Sequence, residues 1–321
     1  MFLIPFVRQV RTVFPHAHIT LLLNEPWQQQ FFNQLNIDQF LFSQFSLKKV
    51  KPCLQSLIHL AKEPYDLCLT PFGSSQDAIL TALIDAKNKV AYTRARYNDV
   101  FTHTFSADTA QRHAALHALA LLPQWVGSAP KTVSYQLHLT PEEAQLGHQI
   151  RSSMASTSEY CIAFFRGARG KKRLSDETWL KLLSRFEQAS PHPITWIEVM
   201  EPGMAVPLRP ELKSYQAGNL QELTYFLSSI DTFISCDTGP LHLADAVDTP
   251  CIGLYTQTNP QVYGLLNKYS VHIEDLEHFD ARSVLNITRG NEYYKPLHIQ
   301  TQRPIKEAEP KLLTYTKSPI Y

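Results

Sequence analysis

Asp231 to Gly264 reads DTFISCDTGPLHLADAVDTPCIGLYTQTNPQVYG. An apolar run of β-formers, Phe233-Ile234-Ser235-Cys236, meets Asp237-Thr238-Gly239-Pro240 and then changes to helical spacing at Leu241, Leu243, Ala244 and Val247. This is a buried strand entering a tight turn and a helix. The start of a helix offers unpaired backbone N–H groups and the positive end of the helix dipole. Gly239 removes a side chain that would hold an anion off, and Pro240 suits a first turn. The turn is a candidate phosphate seat. Thr249-Pro250 breaks the helix, and Cys251 to Tyr255 forms a second short apolar run before Thr256, Thr258, Asn259 and Pro260. Two strand ends thus carry polar loops on one edge of a parallel sheet, where open α/β sheets bind ligands.

Upstream, Tyr160-Cys161-Ile162-Ala163-Phe164-Phe165 reads as another buried strand. It leads into Arg166-Gly167-Ala168-Arg169-Gly170-Lys171-Lys172-Arg173 and a helix with an apolar side of Trp179, Leu182, Leu183 and Phe186. Glycines and five cations at a strand's carboxyl end suit a pyrophosphate, although the order required for a Walker A loop is absent. Ile194 to Val199 is a further strand, ending near Glu198 and Glu201; either carboxylate could take a sugar or ribose hydroxyl, or be simply exposed. Asn219 and Glu222 form a capping box for the helix before Asp231.

The first half alternates in the same way. A helix from Pro5 to Phe14, a strand at Ile19–Leu23, helical spacing over 27–35 and 50–61, strands near Phe40 and at Tyr65–Leu69, and a helix over 77–86 make one Rossmann-like domain. The helical spacing of Ala110 to Leu122 ends at Pro123, and Gly127-Ser128-Ala129-Pro130 has a linker's composition. The expected division is residues 1–140, residues 141–297 and a loosely held tail at 298–321. A doubly wound domain opens with a strand, and none precedes the helix at Pro5, so the first domain is expected to be truncated at its N-terminus.

The chain has 321 residues, with 30 basic against 29 acidic side chains, which does not indicate a broad nucleic-acid-binding surface. Its five cysteines are an odd number without paired metal spacing. Cys68, Cys161, Cys236 and Cys251 fall in strand-like runs and read as reduced, buried thiols. No apolar run reaches the length of a membrane span. The expected place is the cytoplasm, with contact at the inner face of the inner membrane left open.

Asp237-Thr238-Gly239-Pro240-Leu241-His242-Leu243-Ala244, then Pro250, Thr258-Asn259-Pro260 and Tyr263-Gly264, resemble glycosyltransferase family 9, the heptosyltransferases of lipopolysaccharide inner-core synthesis. The resemblance runs from about Pro5 to Gly264. It implies two Rossmann-like domains facing a cleft, the GT-B arrangement, and transfer of a heptose or related sugar from an ADP-activated donor to a lipid-linked core oligosaccharide, without cofactor or metal. Lys172, seven residues before Trp179, matches the family's phosphate-contacting lysine. With Asp237, Thr238, Gly239 and His242 it would steady the departing diphosphate, and Glu198 and Thr258 complete the donor set. Arg94 and Arg96 would face an anionic acceptor, or form a solvated loop. The family's general base is an aspartate in a Gly-Asp turn after a first strand, and no residue here matches it. Two other readings stay open: a catalytically silent nucleotide-sugar binder, and an interaction scaffold. An Asp-Thr-Gly triplet also occurs in aspartic proteases, but those need two such carboxylates and this sequence has one.

Overall fold

A computed structural model of the chain describes residues 1–43, 60–72, 74–93, 97–106, 113–126, 135–156, 159–201 and 206–290, with positions 54, 58 and 203. In the first half α1 (Ile4–Val13) leads to β1 (Thr20–Leu23), β2 (Gln39–Phe42), β3 (Tyr65–Thr70), α2 (Ser75–Leu83), β4 (Ala86–Tyr92), β5 (His103–Phe105), α3 (Ala114–Leu119) and α4 (Leu121–Val126). The second half runs α5 (Pro141–Ser152), β6 (Tyr160–Phe165), α6 (Asp176–Ala189), β7 (Ile194–Val199), β8 (Lys213–Tyr215), α7 (Leu220–Ser229), β9 (Thr232–Cys236), α8 (Gly239–Ala246), β10 (Cys251–Leu254), α9 (Pro260–Tyr263), β11 (Val271–Ile273) and α10 (Ala281–Thr288). The spacing expected to form a helix over 27–35 instead makes two 3-10 turns, Pro26–Phe31 and Asn33–Leu35. Pro123 does not end a helix; it sits in the first turn of α4, where no intrahelical N–H is required. The suggested linker at 127–130, the tail at 298–321 and most of the helix expected over 50–61 lie outside the described residues.

The second half forms one sheet in the order β11-β10-β9-β6-β7-β8, with every pair parallel. Every residue of β9 and β10 is buried, because helices cover both faces. One face packs Ile197, Phe226, Leu227, Phe233 and Leu241 under α7 and α8; the other packs Phe164, Trp179, Phe186 and Leu285 under α6 and α10. Helix α5 lies on α7 at close range. A Cβ at Gly147 would come within 2.1 Å of the Tyr225 carbonyl, so only glycine permits that approach.

The first half holds two parallel sheets among its described residues, β1-β2 and β3-β4-β5, in place of one continuous sheet. Reading outward, β2-β1 and then β3-β4-β5 repeat the second half's order of β8-β7 and β9-β10-β11, and among the described residues no strand pairs with both β1 and β3 as β6 pairs with β7 and β9. The β1 and β3 strands line a common groove of about 1060 Å³, together with Phe6, Val7 and Val10 of α1 and Leu80 of α2. Unpaired strand edges over an apolar floor are the features that accept another strand.

The two halves meet through specific contacts. Met1 and Phe31 pack against the apolar clusters of both, and Ala246 of α8 belongs to the first half's core. Leu137 N–H donates to the Ala246 carbonyl at 2.7 Å. The Tyr135 hydroxyl donates to the wholly buried Asp245, whose oxygens also accept from the N–H groups of Leu266 and Asn267 and from the Ser270 hydroxyl. His113 Nε2–H donates to the Gly264 carbonyl at 2.8 Å, while its Nδ1 accepts from Ala115 N–H.

That histidine predicts a pH dependence of stability. Burial, with His242 nearby, outweighs the Gly264 bond and depresses His113 to about 4; burial likewise holds His272 at about 4. An unfolded histidine titrates near 6.5, so between about pH 4 and 6.5 the unfolded chain binds more protons than the folded one. Stability is therefore full above that window and falls as the pH drops through it, by an upper limit on the order of 3 kcal/mol per histidine. Thermal unfolding followed from neutral pH to about pH 4 should show a falling transition temperature, with a shallower slope in His113→Gln. Equal slopes in the two proteins would remove His113 from the effect.

Candidate functional site

The sheet of the second half changes direction between β6 and β9, which are paired neighbours whose chains continue to opposite sides. At such a switch the loops leaving the two strands diverge and leave a crevice. The loop after β6 carries Arg166 to Arg173, and the turn after β9 carries Asp237, Thr238 and Gly239. Lys172 lies on a 3-10 turn, Gly170–Lys172, and bridges the two loops: its Nζ donates to the Asp237 carbonyl at 2.7 Å and lies 3.3 Å from Asp237 Oδ2. About a third of the Lys172 side chain stays open to solvent, at 32% exposure.

Asp237 is buried and held from several sides. His242, one helical turn along α8, places Nε2 2.8 Å from Asp237 Oδ1. Burial alone would raise the Asp237 carboxyl. The His242 hydrogen bond and charge, the Thr258 hydroxyl and the Lys172 charge together outweigh it, and the net shift is downward. Asp237 is therefore an anion in the folded protein, fastening the turn that contains it. The Thr258 hydroxyl is buried and close enough to contribute, although it makes no hydrogen bond of ordinary geometry. His242 Nδ1 is buried and without a partner among the described residues, and the ring packs edge-on against Phe2 at 4.8 Å. The start of the first half thus rests directly on this turn.

Thr238 is extended, at the position of a helix cap, yet its side chain caps nothing; its hydroxyl bonds to Ser235 Oγ at 2.9 Å. Among the described residues no side chain therefore caps the first turn of α8. Gly239 is exposed, and a Cβ built there would meet nothing within 4 Å. The turn thus combines the electropositive end of a helix, open space at Gly239 and an adjoining ammonium group, all of which favour an anionic group.

The cationic loop divides its charges. Arg166 turns inward, donating to Glu198 and to the Val206 carbonyl and pairing with Asp176 at 2.7 Å. It is only 7% exposed and adds no charge to the crevice. Arg169, Lys171 and Arg173 are exposed. Glu198 is not exposed at all: one carboxylate oxygen meets Arg166 and the other accepts from Leu208 N–H at 2.6 Å. It braces β6 against β7 and the segment after it, so its oxygens are already engaged. Glu201 is a further carboxylate beside the cationic loop, since a Cβ on Gly167 would lie 2.9 Å from its Oε2. Arg94 and Arg96 lie outside the described residues. The structure thus brings together Lys172, Asp237, Thr238, Gly239, His242 and Thr258, and sets Glu198 apart. Sequence reasoning did not find Phe2 or Ser235 as partners of this turn. Each looks like an ordinary apolar or strand residue until the fold places it there.

A model of glycosyltransferase family 9 (heptosyltransferase) matches residues 55–287, well over half of the chain. A family 9 glycosyl transferase structure from Veillonella parvula superimposes with a TM-score of 0.71 at 19% identity, covering 86% of this chain and 82% of that one. The E. coli heptosyltransferase WaaC, solved with ADP, gives 0.66 at 17% identity over 91% of this chain and 95% of its own. The E. coli ADP-heptose lps heptosyltransferase II gives 0.68 at 13% identity, with coverages of 90% and 95%. At these identities the likeness is one of fold. The Haemophilus influenzae lipopolysaccharide core heptosyltransferase OpsX is 48% identical over 42 residues, a match spanning 13% of this chain and 12% of that protein. The parallel six-stranded sheet, the loops that meet at its switch point and the match over residues 55–287 agree: the chain belongs to glycosyltransferase family 9.

Proposed function

We propose that the chain moves a heptose or related sugar from an ADP-activated donor to a lipopolysaccharide core acceptor, with the donor seated on the second half. The observation that carries this is the open, uncapped α8 turn with Lys172 bridging onto it. A departing diphosphate is a dianion or more, and preorganised backbone N–H groups with one ammonium stabilise charge as it develops. Asp237 cannot attract phosphate. It holds the turn, together with His242, in the shape that presents those N–H groups. Glu201, beside the cationic loop, is better placed than Glu198 to accept a ribose or sugar hydroxyl. The ADP bound in the WaaC structure supports an adenine nucleotide as the donor's leaving part. No helix of the described residues is long and apolar enough to cross a membrane.

Transfer also needs a base for the acceptor hydroxyl. Among the described carboxylates of the first half, Asp66 stands at the opening end of β3 and pairs with Lys87, while Asp77 is occupied in capping α2. A strand laid in the groove lined by β1 and β3 would pass Leu3, whose neighbour Phe2 meets His242. A carboxylate just past its end is the base this reading requires.

Three outcomes test the proposal. Lys172→Ala should weaken binding of an ADP-sugar by about tenfold or more, the worth of a charge-assisted hydrogen bond, without unfolding the protein. Calorimetry showing unchanged affinity would remove Lys172 from the site. Gly239→Val should abolish donor binding and leave the thermal transition nearly in place, because the added side chain enters space the protein itself does not use. Retained binding would reduce the turn to a plain helix start. A form extended at its N-terminus by an apolar strand and a Gly-Asp turn should unfold at a higher temperature and transfer sugar roughly 10²–10⁴-fold faster than the 321-residue chain. Equal transfer by both would place the base on another carboxylate.

A further inference from the structure

A second opening lies between the two halves, on residues that the donor reading does not use. It has a volume of about 640 Å³ and is lined by Trp27, Gln29, Gln30 and Asn33 from the first half and by Asn219 and Gln221 from the second. None of the described lining residues carries a charge. A phosphate or carboxylate would find no counter-ion there, in contrast to the turn beside Lys172.

The chemistry of the lining is specific. Trp27 is 56% exposed, which is uncommon for the largest apolar side chain. It is also fixed in place: its ring meets Phe31 edge-on at 6.1 Å, and Phe31 is anchored in the apolar clusters of both halves. The 3-10 turn that carries it is held at its start by Gln28, whose Oε1 accepts from Asn24 and Glu25 N–H, each at 3.0 Å. Gln30 Nε2 donates to the Trp27 carbonyl at 2.7 Å. The Asn219 side chain is already committed to Glu222, both as acceptor and as donor. The amides of Gln29, Asn33 and Gln221 make no hydrogen bond within the described residues. A carboxamide offers a donor and an acceptor side by side, the pair that adjacent hydroxyls on a ring require. A fixed indole offers an apolar surface at a wet boundary, which suits the C–H face of the same ring.

We propose that this cleft binds a neutral sugar ring of an oligosaccharide, with Trp27 as its platform and Gln29, Asn33 and Gln221 as its hydroxyl readers. The assignment extends the glycosyl-transfer reading from the donor to the acceptor glycan, and rests on that reading for its place in the reaction. Its position between the halves means that a bound glycan would touch both.

The chain has four tryptophans, Trp27, Trp125, Trp179 and Trp196, and the indole N–H resonance that disappears in Trp27→Ala identifies the Trp27 signal to be followed. The probes are methyl α-glucopyranoside, methyl α-galactopyranoside and methyl α-mannopyranoside, with inorganic phosphate and ADP as controls. At least one glycoside should shift that resonance saturably, and phosphate should not. Trp27→Ala should abolish glycoside binding by calorimetry, Trp27→Phe should retain part of it, and Gln29→Ala or Gln221→Ala should weaken it by roughly three- to tenfold. ADP affinity and the thermal transition should stay unchanged in the Gln29 and Gln221 variants. No saturable shift with any glycoside, or binding that survives Trp27→Ala, overturns the assignment. Intact ADP binding without glycoside binding sinks this proposal alone, and glycoside binding without ADP binding sinks the donor reading alone.

Discussion

The pairing of β6 with β9 is the constraint from which the site follows. Both strands are central and parallel, and their chains leave in opposite directions, so the loops beyond Phe165 and Cys236 cannot pack on each other as neighbouring crossovers would. The gap this leaves is closed by a side chain instead of backbone: Lys172 reaches from one loop to the carbonyl and carboxylate at the start of the other. An ammonium group held against a carboxylate that is itself clasped by a histidine costs less in desolvation than either charge would alone. The arrangement keeps cationic charge at a helix start without leaving it unpaired when no ligand is present.

The same loop shows how one run of cations serves two purposes. Arg166, at the strand's end, is drawn inward to Glu198 and Asp176, because a planar guanidinium can satisfy two carboxylates and a carbonyl at once. Lys172, six residues further on, has a long flexible stem and three donors, and works across the crevice. Exchanging their places would leave Glu198 buried with a partner less suited to its geometry. Reading the five charges as one anion cradle overlooks this division between structural and surface cations.

Contact between the halves is built around the Asp237 turn and the helix that follows it. Phe2 sits on His242, His113 bonds the Gly264 carbonyl, and Tyr135 reaches Asp245 two residues before Val247 ends α8. Burial pushes the Asp245 carboxyl upward, and its four donors are what make such a group tolerable in the interior. The α8 helix is therefore shared: its start belongs to the site and its end to the seam with the first half. A change in how the halves meet would be felt at the turn through one rigid, two-turn element.

Periodicity and turn chemistry in the sequence determined the alternating α/β plan, the buried strands of the second half and the turn at Asp237. These signals are local: a run of β-formers, an uncommitted glycine and a first-turn proline act over a few residues. The order of motifs from Asp237 to Gly264 carried the resemblance to the family, and only within that resemblance did the distance from Trp179 single out Lys172. The direction of each side chain could not be read in this way. Glu198 looked like a candidate for a hydroxyl because it ends a strand, and only the register of β6 against β7 placed it under Arg166, with both oxygens engaged. Phe2 and Ser235 carry no sequence signal for the site, since their contacts come across a long separation or across a turn. The first half illustrates the same limit. Its strands are legible, but two parallel sheets with a groove between them can be seen only once edges are paired, because a strand's neighbours are chosen by packing and not by its own residues.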